Sequence, residues 1–256
     1  MPRFAANLTL LFTELPFMER FAAARAAGFD GVEYLFPYQW PADQLRDRLT
    51  AHGLTQVLFN LPPGNWPAGE RGIACLPDRV AEFREGVTLA RRYAGVLGCR
   101  RLNCLAGLRP DGVADQLLWD TLTDNLRWAA AQLAEDGIDL CLEAINSKVD
   151  MPGFLVDSST GAMAVLDEVG ASNLYLQYDI YHMQIMEGDL IRTLERLLPR
   201  IGHIQIADNP GRHEPGTGEI NYPAVFHALD RMGYGGWVSA EYHPLNGTSE
   251  GLGWLP

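Results

Sequence analysis

The stretch GIDLCLEAINSKVDMPGFLVDSSTGAMAVLDEVGASNLYLQYD, residues 137–179, decides the fold. It opens on a glycine suited to stopping a helix and runs through a short apolar strand to Glu143. A segment of helical period follows at 160–169, and a second apolar strand ends in Asp179. Two such strands joined by a helix read as a βα repeat of a parallel sheet, with both acids at strand ends.

Outward from this unit the same alternation recurs. Strand candidates at 4–11, 31–34, 54–59 and 101–105 precede 139–143 and 174–179, and 201–207 and 236–241 follow them. Helical stretches lie near 17–27, 41–52, from about 78, from about 116, and near 160–169, 189–198 and 223–232. Gly28 and Gly53 fit as helix stops. Eight repeats in 256 residues match one (β/α)8 TIM barrel, an α/β fold, so residues 1–256 are expected to form a single domain of that kind. Only about fifteen residues follow the last strand, and 249–254 can supply no more than a short or incomplete eighth helix. That leaves an apolar flank on which a homodimer can form.

Thirty-two acidic side chains against twenty Lys and Arg give a net charge of −12, with no basic stripe for a phosphate backbone. Nucleic acid is therefore not expected as a partner. The opening MPRFAANLTLLF lacks the features of an export signal, and nowhere do 18 apolar residues run together, so no membrane partner is expected. Cys75, Cys99, Cys104 and Cys141 show no CxxC spacing and read as buried thiols of a reducing, cytoplasmic compartment. GxGxxG, GxxxxGK and HExxH are absent, which removes the usual dinucleotide, P-loop and zinc-protease readings.

In a TIM barrel the active site lies at the C-terminal ends of the strands. There the fifth strand ends in Glu143, the sixth in Asp179 and the eighth in Glu241, and the seventh offers Gln205 near its end. Three carboxylates on one rim repel each other unless a cation neutralises them, and oxygen ligands suit Mg2+ or Mn2+. A divalent metal held by Glu143, Asp179, Gln205 and Glu241 is the expected cofactor.

His182, three residues beyond Asp179, is placed to donate a hydrogen bond to a substrate oxygen. Arg212, in the loop after the seventh strand, can clamp a substrate carboxylate; a surface salt bridge to Glu214 or Glu219 is its competing use. Lys148 and His243 lie near enough to touch substrate but carry no spacing argument. The long irregular stretches 60–77 and 208–222 are candidate functional loops, the first with Trp66 as an aromatic wall of a lid.

Three strings, QYDIYHMQ, GHIQIADNPGRHEPGTGEINY and NLPPGNWPAGERGIA, closely resemble the hydroxypyruvate isomerase family within the xylose-isomerase-like TIM barrels. The resemblance spans essentially the whole chain. It implies a metal on the residues matching Glu143, Asp179, Gln205 and Glu241, with Glu143 and Glu241 also serving as proton donor and acceptor. It implies an aldose–ketose isomerase that interconverts hydroxypyruvate and tartronate semialdehyde through an enediolate. Two departures touch substrate contacts: EAINSKVDMPGF, where EPIN and a shorter loop are usual, and His243 in EYHP, where Lys or Arg is common.

Relatives with the same machinery act on four-carbon 2-oxo acids, so a 2-oxotetronate isomerase is the alternative. Ketose 3-epimerases usually carry His where this chain has Gln205. Endonuclease IV-like barrels need many His ligands and a basic groove, against six scattered His and −12 here. A non-catalytic sugar-binding barrel would tolerate loss of either glutamate.

Overall fold

The computed structural model describes residues 2–255. Strands β1 (Arg3–Asn7), β2 (Gly31–Glu33), β3 (Thr55–Asn60), β4 (Arg101–Cys104), β5 (Asp139–Glu143), β6 (Leu174–Asp179), β7 (Ile201–Ile206) and β8 (Trp237–Ala240) form a closed barrel in chain order. All neighbours are parallel, including β1 on β8. The connecting helices are α1 (Arg20–Ala26), α2 (Ala42–His52), α3 (Val80–Leu97), α4 (Asp115–Ala134), α5 (Ser159–Val169), α6 (Ile180–Met186), α7 (Leu190–Leu197) and α8 (Tyr222–Arg231). The TIM barrel expected from the βα alternation is what the chain forms.

Strand parity separates core from chemistry. Leu140 and Leu142 of β5 join the apolar layer between sheet and helices, so Cys141 and Glu143 take the opposite face. On the helix side α3 buries Phe83, Val87, Ala90, Ala94 and Leu97, a stripe at helical spacing. Each fully buried Leu or Phe contributes about 1.5–3 kcal/mol of transfer free energy, so this layer carries the stability and frees the barrel mouth for polar groups. Among the described residues a small apolar cluster inside the barrel, Ala5, Val57 and Leu58, packs against Trp237. Gly31 makes room for them, since a Cβ there would meet Val57 at 2.7 Å and the Trp237 ring at 2.8 Å.

The parallel register lines up the strand ends. Asn7 lies opposite Glu33, Asn60 opposite Asn103, Glu143 opposite Gln177, and Asp179 opposite Gln205.

Two expectations about elements shift. β1 ends at Asn7, not at 11, because the Asn7 carbonyl accepts the N–H groups of Leu10 and Leu11 and turns the chain. Leu8 and Leu11 are buried all the same, which is why the apolar run read as strand. The short helix α6 directly after β6 was not anticipated. The closing helix is short, as expected: it is one 3-10 turn, Glu250–Leu252, and Trp254 covers that flank by packing edge-on against Phe4 at 5.2 Å.

All four cysteines are unpaired and buried, as expected for structural thiols. Burial pushes Cys75, Cys99 and Cys141 up to about 12, which leaves them unreactive. Among the described residues no helix is long and apolar enough to cross a membrane.

Candidate active site

Glu143, Asp179, His182, Gln205 and Glu241 are all brought to the C-terminal mouth of the barrel, each at most 4% exposed. Asp179 ends β6 and caps α6: its Oδ1 accepts the N–H of Tyr181 at 2.8 Å and of His182 at 3.3 Å. The same cap explains why α6 starts there and why His182 points back over the site. Asp179 Oδ2 is buried with no hydrogen-bond partner.

Each glutamate is held by an amide from a strand in the first half of the chain. Asn103 Nδ2 donates to Glu143 Oε2 at 2.8 Å, and Asn7 Nδ2 donates to Glu241 Oε1 at 3.0 Å. Arg212 donates to the other oxygen of Glu241 at 3.0 Å and to Asp150 Oδ2 at 2.9 Å, with its guanidinium 5.2 Å over the Tyr181 ring. So the surface pair with Glu214 or Glu219 does not form. Glu214 accepts the Leu245 N–H, and Glu219 accepts from Gln184 and Asn209.

The loop that aims Arg212 is built on Asp208, whose carboxylate accepts backbone N–H groups of Asn209, Gly216, Gly218 and Ile220. These bonds hold Arg212 at φ 54°, a left-handed conformation costing an L-residue about 1–2 kcal/mol. A second loop, after β3, is tied down by Arg79, which donates to Glu70 at 2.7 Å and Glu82 at 2.6 Å. It sets Trp66 between Phe36, 5.1 Å away, and Arg71, 4.2 Å away.

Burial and the neighbouring Asp179 charge push Glu143 up to about 8. Burial pushes Asp179 up to about 6 against the pull of Arg212 and two backbone N–H groups. Glu241 is also driven well above the ordinary carboxylate range by burial, despite Arg212 beside it. Three acids thus share one strong cation, an arrangement that takes up a divalent ion readily.

Burial, with Arg212 nearby, takes His182 well below its usual value, so its ring is neutral. Its tautomer follows from Asn146. The Asn146 carbonyl oxygen already accepts the N–H groups of Val149 and Asp150, so its Nδ2 must donate to His182 Nδ1, at 2.7 Å. The ring proton therefore sits on Nε2, 3.9 Å from Glu143 and 3.7 Å from Asp179.

Glu143, Asp179 and His182 each bring a ligand atom within 4.8 Å of the others, a buried group that could bind a metal ion. The unpartnered Asp179 Oδ2 fits that use. Of the two neutral candidates, His182 presents an N–H and Gln205 a carbonyl oxygen, bonded so far only to Gln177 Nε2 at 2.6 Å. Gln205 Nε2 in turn donates to Glu33 Oε1 at 2.8 Å.

Glu33, Asn7, Asn103, Asn146 and Asp150 were not singled out from sequence. Glu33 was legible by the rule that found Glu143, being a carboxylate closing a strand, GVE. The amides gave no such signal, since Asn at a strand end is common turn chemistry. Lys148 Nζ donates to the Ile185 carbonyl near the end of α6, and the main-chain N–H of His243 binds the Arg212 carbonyl.

The chain matches the family described as xylose isomerase-like TIM barrel over residues 21–256. A 2-oxo-tetronate isomerase of Cupriavidus necator is 51% identical over 255 residues, covering 100% of this chain and 98% of that protein. A hydroxypyruvate isomerase of Escherichia coli is 49% identical, with the same coverage of both. A solved structure of a family 2 AP endonuclease from Brucella melitensis superposes with a TM-score of 0.97 at 46% identity, covering 100% of this chain and 98% of that one. With a barrel, a rim of buried acids and full-length identities near one half, the chain belongs to the xylose isomerase-like TIM barrel family.

Proposed function

We propose that the protein is an aldose–ketose isomerase of short 2-oxo acids that interconverts hydroxypyruvate and tartronate semialdehyde. The observation that carries this is the pair of buried glutamates with raised proton affinity, Glu143 and Glu241, gathered with Asp179 beside Arg212. The identities to named isomerases support it.

Residues Glu143, Asp179, Gln205 and Glu241 would hold a divalent cation, Mg2+ or Mn2+. When bound, such an ion supplies positive charge next to an oxyanion developing on the substrate. The remaining work falls to the side chains. One glutamate takes the proton from carbon 3, and a proton is delivered to carbon 2 as the hydroxyl proton moves from one oxygen to the other. Groups whose proton affinity lies near neutral pH are suited to both taking and giving. His182, with its proton on Nε2, donates to a substrate oxygen. Arg212 takes the substrate carboxylate, exchanging it for the Asp150 or Glu241 oxygen it now holds.

The second reading is the four-carbon homologue, favoured by the Cupriavidus necator relative. The similar solved structure of a family 2 AP endonuclease suggests a nuclease instead. A net charge of −12 opposes that reading on electrostatic grounds. We place the enzyme in the cytoplasm and in glyoxylate metabolism, on the thiol content and the hydroxypyruvate reading.

Side-by-side kinetics on hydroxypyruvate and four-carbon 2-oxo acids, with and without Mg2+ or Mn2+, test the assignment. Solvent deuterium should enter the substrate at the carbon that gains the proton. No turnover of either acid overturns the proposal.

A further inference from the structure

The amides around the site differ in what decides which end is oxygen and which is nitrogen. Asn7 and Asn146 are settled by the backbone: Thr9 N–H binds Asn7 Oδ1 at 3.0 Å, and Val149 and Asp150 N–H bind Asn146 Oδ1. Gln205 is held by two side chains instead, Gln177 on one end and Glu33 on the other.

Gln177 cannot settle the matter. If both amides turn over, the bond between them survives with donor and acceptor exchanged, and Gln177 Oε1, now buried without a partner, gains one. Taken alone, the pair is indifferent or prefers the turned state.

Glu33 breaks the tie. It crosses the barrel from β2 to β7, where His203 Nε2 binds its Oε2 at 2.7 Å, and Asn7 Nδ2 joins Gln205 on its Oε1 at 2.9 Å. All three neighbours donate to it. A turned Gln205 would set carbonyl oxygen against carboxylate oxygen with no proton between them, inside a barrel where both residues are 1% exposed.

We propose that Glu33 is a positioning residue that fixes the Gln205 amide with its carbonyl oxygen turned toward β6, on the side of Asp179, where it can serve a divalent cation. This rests on the reading of Gln205 as a cation ligand. A carbonyl oxygen has two lone pairs and Gln177 uses one, so the contact between the glutamines does not block that role. A turned amide would instead present N–H to the cation.

The test is a calorimetric titration of Mn2+ into chelator-treated protein for wild type, Glu33→Gln, Gln205→Glu and the two changes combined. Orienting partners of this kind are worth about 10–100-fold in metal affinity. Glu33→Gln should weaken Mn2+ binding by that factor when residue 205 is the native glutamine. It should not weaken it in the Gln205→Glu background, because a carboxylate has oxygen at both ends and needs no orienting.

An equal loss in both backgrounds would show that Glu33 acts through its charge or its packing, and no loss in either would show that it does not orient the amide. Both results overturn the proposal. Wild-type protein that takes up no Mn2+ overturns the cation reading itself, which the other outcomes leave standing. Gln177→Met, which spares Glu33, decides the case if Glu33→Gln does not fold: affinity kept within about threefold supports the proposal, and a tenfold loss overturns it.

Discussion

Strands β5–β8 and strands β1–β4 share one barrel mouth and divide its chemistry, with mostly carboxylates from the first set and mostly amides from the second. The later strands deliver Glu143, Asp179, Gln205 and Glu241, while the earlier ones deliver Asn7, Glu33, Asn60 and Asn103. The acids are not positioned by their own strands alone. Asn103 fixes one glutamate and Asn7 the other, so the half that looks inert in sequence orients the half that looks reactive. The two glutamates are also unequal, since only Glu241 has Arg212 on its second oxygen.

The largest effect tests whether chemistry is confined to the acidic half. Glu143→Gln and Glu241→Gln keep shape and remove the proton-transfer group, and each should cost at least about 10²–10⁴-fold in kcat. Substrate binding should be partly kept in both. Near-normal turnover in either variant would break the division of labour and the mechanism with it.

Next comes Arg212, which ties Glu241 to Asp150 within the acidic half. Arg212→Ala removes a net charge-assisted hydrogen bond to substrate worth about 1.5–3 kcal/mol, so kcat/KM should fall by about 10–100-fold, mainly through KM. A loss confined to kcat would mean that Arg212 serves Glu241 alone and never grips the substrate carboxylate.

The amide half should give smaller, graded losses. Asn103→Ala and Asn7→Ala should each lower kcat/KM by about tenfold or somewhat more. Asn103→Ala should be the more damaging, because Glu143 then loses its amide donor while Glu241 still has Arg212. Equal effects would show that the guanidinium does not steady Glu241.

This division also explains what could be read without a structure. The barrel was legible because parallel strands buried on one face by helices leave apolar runs such as DLCLE and LYLQYD, each closed by an acid. The acidic rim was legible because three carboxylates closing strands of one barrel would repel each other unless a cation neutralises them. Asn103 and Asn7 were not, since only coordinates reveal that their amides reach a glutamate on another strand. Arg212 was found but its partners were not: Asp150 is far away in sequence, and the pair depends on a left-handed backbone set by Asp208. The end of β1 was misplaced because burial continues through Leu8 and Leu11 after the hydrogen-bond ladder stops.

The smallest effect is on stability, and there the halves should pull in opposite directions with pH. Glu143, held up at about 8, and Asp179, at about 6, keep their protons in the folded metal-free protein while the unfolded chain has lost them. The native state then binds more protons than the unfolded one, so stability falls as pH rises from about 4.5 to about 8. Burial works against Glu33 too, but His203 and three hydrogen bonds bring it below the ordinary value. Its contribution is present above that ordinary value and is lost as pH falls through the folded one. Thermal melts in chelator should therefore show a decline toward pH 8 that Glu143→Gln flattens and Glu33→Gln leaves in place. Added Mn2+ should raise Tm more at pH 8 than at pH 5, because protons compete for the same oxygens. A metal-free profile that rises from pH 5 to pH 8, and is unchanged by Glu143→Gln, would show that the acidic half is not strained by its own charge.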